Sequence, residues 1–164
     1  MGYLVGPLIA VISIAVFMID TQYLDKKNVQ IPTSPSLIFS HTVKVSSTSF
    51  LVSIAMTDQQ RSQGLSGISF LPERSGKLFI FDKDNKHGIW MKDMLIPLDI
   101  LWFGQTGELV YLQTQVSPDT YPTIYEPSED TKYVLELNAG SVESLDIAVG
   151  DILVLPADLD YLQH

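Results

Sequence analysis

From Trp90 to Phe103 the chain is apolar enough to be core, yet it carries Lys92, Asp93 and Asp99 inside that run. An isolated charge taken into an apolar interior costs several kcal/mol or more, roughly, so Lys92 and Asp99 cannot both be buried alone. Either they pair, or they line a wet pocket. Any fold for this sequence must provide one of those arrangements.

Alternation sets the rest of the framework. In a strand, alternate residues share a face. Strand-like stretches are expected at His41–Val45, Phe50–Met56, Lys77–Phe81, Gly88–Met94, Leu98–Phe103, Glu108–Gln115, Lys132–Asn138 and Asp151–Leu155. Gln105-Thr106-Gly107 reads as a hairpin connection between antiparallel neighbours. The period changes at Thr57-Asp58-Gln59-Gln60, which fits a capping box opening a short helix that Gly64 can stop. A further helical turn is expected at Ile68–Leu71, and another short helix at Ser141–Ile147 with Ser141 as its cap. Seven or eight short strands with two brief helices predict a mainly β, compact, barrel-like domain rather than a parallel sheet. Ser117 to Asp130 is its longest loop-like stretch, a length often tied to function.

The amino-terminal part has a different character. Gly2 to Ile19 holds no charge, and as a helix it would rise about 27 Å, near the lower limit for crossing a bilayer core. An uncleaved signal anchor, a cleaved signal peptide and a buried helix compete here. No basic stretch precedes the apolar run and no Ala-x-Ala-like site follows it, which favours the anchor. Residues 1–20 are therefore expected to be one transmembrane helix. Residues 21–40 form a Pro- and Ser-containing tether, and 41–164 the folded domain. Lys26 and Lys27 argue for a cytoplasmic carboxyl-terminal side. An anchor with almost nothing before it is commonly used for export, and the expectation is an extracytoplasmic domain.

Charge narrows the partners. The net charge is −9. Up to residue 116 nine acids balance nine bases, whereas beyond it ten acids face Lys132 alone. That asymmetry repels phosphate backbones, so no nucleic-acid partner is expected. The absence of cysteine excludes disulfides, thiolate metal sites and Cys nucleophiles. His41, His87 and His164 show no paired metal-ligand spacing. Asp82-Lys83-Asp84-Asn85-Lys86 starts like a calcium loop, but lysine stands at its fifth position and no glycine at its sixth. No cofactor or metal is expected.

The segment Trp90-Met91-Lys92-Asp93-Met94 leading into Pro97-Leu98-Asp99 resembles the hallmark of the domain of unknown function 192 family, small prokaryotic domains often anchored or exported. Other pieces occur in that family's order. These are Arg61 before Gly64-Leu65, Leu71-Pro72 before Gly76, Leu78 to Phe81, Tyr125, Pro127, Tyr133 to Leu137, Gly140 and Gly150-Asp151. The likeness spans about residues 48–155. It departs at Ser66-Gly67, where the family usually has Met-Arg, and at Asp93, where it usually has Asn. The resemblance implies a compact β domain and no established activity.

Asp99 and Glu136 are the acids most embedded in apolar sequence. Arg61 and Lys92 are the cations that the family pattern places to meet them. Two arrangements stay open: structural ion pairs, or a pocket rim of Arg61, Lys92, Asp99 and Glu136 with Trp90 as an apolar wall. The leading expectation is a non-catalytic domain that binds a small ligand or an envelope partner. The alternatives are a hydrolase-type enzyme using Asp99 and Glu136 with Arg61 or Lys92, and an accessory subunit of a membrane complex.

Overall fold

A computed structural model describes residues 37–159. The expected membrane segment at residues 2–19 and most of the tether lie outside those residues. Among the described residues no helix is long and apolar enough to cross a membrane.

Seven strands form one sheet in the order β6-β5-β8-β3-β2-β1-β9. They are β1 (His41–Val45), β2 (Thr48–Ala55), β3 (Ser75–Asn85), β5 (Leu98–Phe103), β6 (Leu109–Val116), β8 (Thr131–Asn138) and β9 (Leu153–Val154). A separate ribbon pairs β4 (Ile89–Trp90) with β7 (Ile124–Tyr125). The sheet curls into a half-barrel. Its two ends are drawn together by a bridge between Glu108 and Ile152, and Leu109 N donates to Asp151 O at 2.7 Å.

Side-chain alternation then sorts the apolar residues onto two faces. Val43, Phe50, Leu78, Leu101, Phe103 and Leu135 belong to the core inside the curl. Phe79, Ile100, Trp102 and Val134 belong to the other face, covered by Leu65, Ile68 and Leu71 from the chain between β2 and β3. Because β5 is covered on both faces, all six of its residues are buried, which is why it reads as an unbroken apolar run around Asp99.

The connection from β2 to β3 decides where the site lies. These two strands are parallel, with Ser53 opposite Lys77 and Ala55 opposite Phe79. Parallel neighbours cannot be joined by a tight turn, so the chain must cross a face of the sheet. It does so through α1 (Asp58–Gln63) and the segment after it. The capping box is present as expected: Thr57 Oγ1 accepts from Gln60 N, and the Gln60 side chain accepts from Thr57 N. Gly64, at φ 50°, ends the helix.

Three local expectations are corrected. The strand expected over Gly88–Met94 stops at Trp90, because the backbone turns through Asp93 at φ 57°. No helical turn forms at Ile68–Leu71. The second helix, α2 (Ser141–Ser144), is shorter than expected, and its N-cap position falls on Gly140, with no side-chain cap bond, rather than on Ser141. The Ser117–Asp130 stretch contains a 3-10 turn at Pro118–Thr120 and the strand β7.

Candidate functional site

Strands β3 and β8 are antiparallel neighbours, and their register sets Lys77 directly opposite Glu136. With Ser53 opposite Lys77 on the other side, a polar row Ser53–Lys77–Glu136 crosses three strands. Paired residues share a face, and this row lies on the face that α1 and its following segment cover. All three residues are buried, Lys77 at 7% exposure and Glu136 at 4%.

Between this face and the crossover lies a cleft of about 210 Å³, lined among others by Arg61, Gly64, Phe79, Phe81, Trp90 and Glu136. Glu136 Oε2 has no hydrogen-bond partner in the protein, and neither has Ser53 Oγ. Burial pushes the Glu136 carboxyl up to about 8, opposed by the positive charge of Lys77. The same burial lowers Lys77, opposed by Glu136. Both shifts disfavour the charged forms, as desolvation does when no close partner compensates it. Among the described residues the ion pairs are His41–Asp158 and Arg61–Asp58, so Lys77 and Glu136 face each other without closing to contact.

Arg61 lies at the cleft with three of its five N–H donors engaged. Nη1 donates to Met56 O at 2.5 Å and Ile80 O at 2.9 Å, and Nη2 donates to Asp58 at 2.5 Å. Its guanidinium stands 5.1 Å from the centre of the Phe81 ring. Arg61 therefore pins α1 to β3 and holds the roof of the cleft in place. His87 stacks on the same Phe81 ring at 3.5 Å, and its backbone carbonyl accepts from Trp102 Nε1 at 2.7 Å.

Trp90 is half exposed and stands at the mouth, edge-on to Tyr121 at 6.1 Å. Lys92 is exposed and does not line the cleft. Its Nζ sits 5.9 Å from the Trp90 ring centre, over an open groove shared with Ser62, Gln63, Ser66 and Asp93. The loop carrying Ser66-Gly67 is tied to this segment, as Ser66 Oγ donates to Lys92 O and Gly67 N to Asp93 O.

Asp99 belongs elsewhere. It is fully buried on the inner face, where Oδ1 accepts from Gln115 N and Oδ2 from Val142 N, each at 2.8 Å. It thus holds a bulge in β6, where Leu98 and Ile100 pair with Val116 and Gln113, and it supplies the cap that α2 lacks locally. The expected rim is therefore divided. Arg61, Trp90 and Glu136 come together, Lys92 lies beside them, and Asp99 lies on the opposite face. Among the described residues no group of three His, Asp or Glu side chains could hold a metal ion.

Lys77 was missed in the sequence, although the signal was available. It alternates with Phe79 and Phe81 on one strand and so shares their face.

The model of the DUF192 family, described as Uncharacterized ACR, matches residues 41–155. The chain belongs to the DUF192 family. The matched span takes in every strand of the half-barrel, extending the likeness seen in the sequence back to β1. No curated protein matches this DUF192 chain. Solved structures share the fold, two of them as follows. One, from Sinorhizobium meliloti 1021, provisionally named a transcription regulator, is 28% identical with a TM-score of 0.69, covering 73% of this chain and 97% of its own. Another, a protein of unknown function from Novosphingobium aromaticivorans DSM 12444, is 26% identical with a TM-score of 0.66, covering 69% and 83%.

Proposed function

We propose that this DUF192 chain is a membrane-anchored, extracytoplasmic domain that binds a small ligand in the cleft over Glu136 without transforming it. The observation that supports this most is the buried Glu136 carboxyl with an oxygen lacking any partner. A buried unsatisfied polar atom costs roughly 1–3 kcal/mol, and a ligand that satisfies it recovers that cost. Apolar walls with a few convergent polar groups are the usual make-up of such sites. At about 210 Å³ the cleft suits a molecule smaller than a drug-sized ligand, whose pockets run from roughly 300 Å³ upward.

The geometry gives the hydrolase alternative little support. Its two acids occupy opposite faces of the sheet, and Asp99 has both oxygens committed to backbone amides. The provisional name of the Sinorhizobium protein is not carried over, because the acidic excess beyond residue 116 opposes contact with a phosphate backbone. An envelope partner remains a second reading. Trp90, Leu95, Tyr121 and Ile124 are all exposed, and Trp90 and Ile124 line a second, open depression with Gly88 and Glu126.

Native mass spectrometry of the full chain, extracted in mild detergent, tests the first reading. A retained small molecule that Glu136→Gln loses is expected. A bare wild-type mass, with no thermal stabilisation by fractionated cell extract, would count against it. Stoichiometric capture of a protein that Trp90→Ser abolishes would favour the second reading.

A further inference from the structure

Resting on the binding-site reading above, we infer that the occupant is a small amine, an aromatic or aliphatic body bearing one ammonium group that pairs with Glu136. Three observations lead there. Glu136 belongs to the cleft lining, is almost fully buried, and has an oxygen without a donor. Lys77, which could attract an anion, does not line the cleft, and Arg61 spends three of its five N–H donors on Met56, Ile80 and Asp58. Once ionised, the partnerless carboxyl oxygen of Glu136 can only accept, and an ammonium is the donor that would hold it in that form. The remaining walls include Phe79 and Trp90, whose ring faces attract cations. Lys92 over Trp90 already shows that pairing at the mouth.

An ammonium can satisfy the site only if Glu136 is ionised. Binding an ammonium to the protonated acid therefore releases one proton: the O–H bond breaks, the proton leaves to solvent, and the carboxylate retains the electron pair. The groups facing Glu136 are Lys77 on β3, Arg61 on α1 and uncharged Ile100 on β5, with Ser53 beyond Lys77. Lys77 is the competitor. An incoming ammonium must do what Lys77, held off at its strand position, does not.

Calorimetry on the full chain with phenethylamine, 2-phenylethanol and 3-phenylpropionate tests this. The amine should bind at least about tenfold tighter than the other two. Below pH 8 its affinity should rise up to about tenfold per pH unit, with close to one proton released in buffers of different ionisation heat. Glu136→Gln, a neutral isostere that preserves the packing, should lose both the preference and the proton release. Equal or tighter binding of the alcohol or carboxylate, still dependent on Glu136, would overturn the amine assignment and leave the cleft a binding site. Amine affinity unaffected by pH or by Glu136→Gln would overturn it as well. So would no heat with any of the three, whereas a ligand retained from cells would still uphold the cleft.

Discussion

Asp99 and Glu136 sit one register step apart on neighbouring strands, with Asp99 opposite Leu137 and Ile100 opposite Glu136, and so they face opposite sides of the sheet. Two carboxyls within a few ångströms push each other's ionisation apart. Here the sheet stands between them. One is fully engaged by backbone amides and the other has an oxygen with no partner. The consequences of changing them differ accordingly.

Asp99→Ala is expected to destabilise the domain by about 2–5 kcal/mol, because it strands two amides at roughly 1–3 kcal/mol each. Asp99→Asn keeps one acceptor and turns an amide N–H₂ toward the other donor, so about half that loss is expected. Urea denaturation measures both. An Asp99→Ala midpoint equal to wild type would show that Gln115 and Val142 do not depend on this carboxylate.

Glu136 predicts a pH dependence of stability. Its folded-state pKa is raised from 4.5 to about 8, so between those values the folded state holds a proton that the unfolded chain has lost. Stability therefore falls as pH rises through that window. Lys77, whose pKa is lowered, acts in the opposite sense at alkaline pH, where the unfolded chain holds the extra proton. Glu136→Gln should melt increasingly above wild type from pH 5 to pH 8.5. Parallel melting curves for the two proteins across that range would refute the assignment.

Gly76 fixes the spacing between β3 and β8. A Cβ there would come within 2.4 Å of Glu136 O and 2.8 Å of Leu137 Cδ2, a backbone contact that cannot yield. Gly76→Ala is expected to cost at least about 1–3 kcal/mol by forcing these strands apart. It should also loosen the cleft, which would appear as faster hydrogen exchange along Lys132–Leu137 than stability loss alone explains.

Asp93 occupies the left-handed region at φ 57°, which Asn, Asp and Gly tolerate best. Asp93→Asn and Asp93→Gly should be close to neutral, while Asp93→Val should cost about 1–2 kcal/mol. A Val variant as stable as wild type would show that the turn relaxes elsewhere.

For the anchor, deletion of residues 1–22 should move the protein from the membrane to the soluble fraction. Continued sedimentation with membranes at high salt would refute that. Protease added to intact spheroplasts should cleave an extracytoplasmic domain and spare a cytoplasmic one.

What could be read without coordinates was what depends on near neighbours. Thr57 and Gln60 form their capping box because both partners lie within one helical turn. Strands β5 and β8 were legible because alternating or continuous apolar runs leave few other choices. The strand expected through Met94 failed because one residue, Asp93, reverses the backbone within a segment that still alternates in polarity. The facing of Lys77 and Glu136 was out of reach for another reason. It depends on the register between strands far apart in the chain, which the whole sheet determines. Asp99 was expected in an ion pair or at a pocket rim, but its partners are main-chain amides, to which side-chain patterns are blind.

The parallel pairing of β2 with β3 has an implication beyond this chain. Any sequence that keeps the two strands side by side must send its backbone across a face of the sheet, and in this chain that crossing leaves a hollow underneath. Substitutions in the crossing can reshape that hollow while the topology stays as it is. Diversity among relatives should then be sought in the ceiling and floor of that vault, where new chemistry can be admitted at little structural expense.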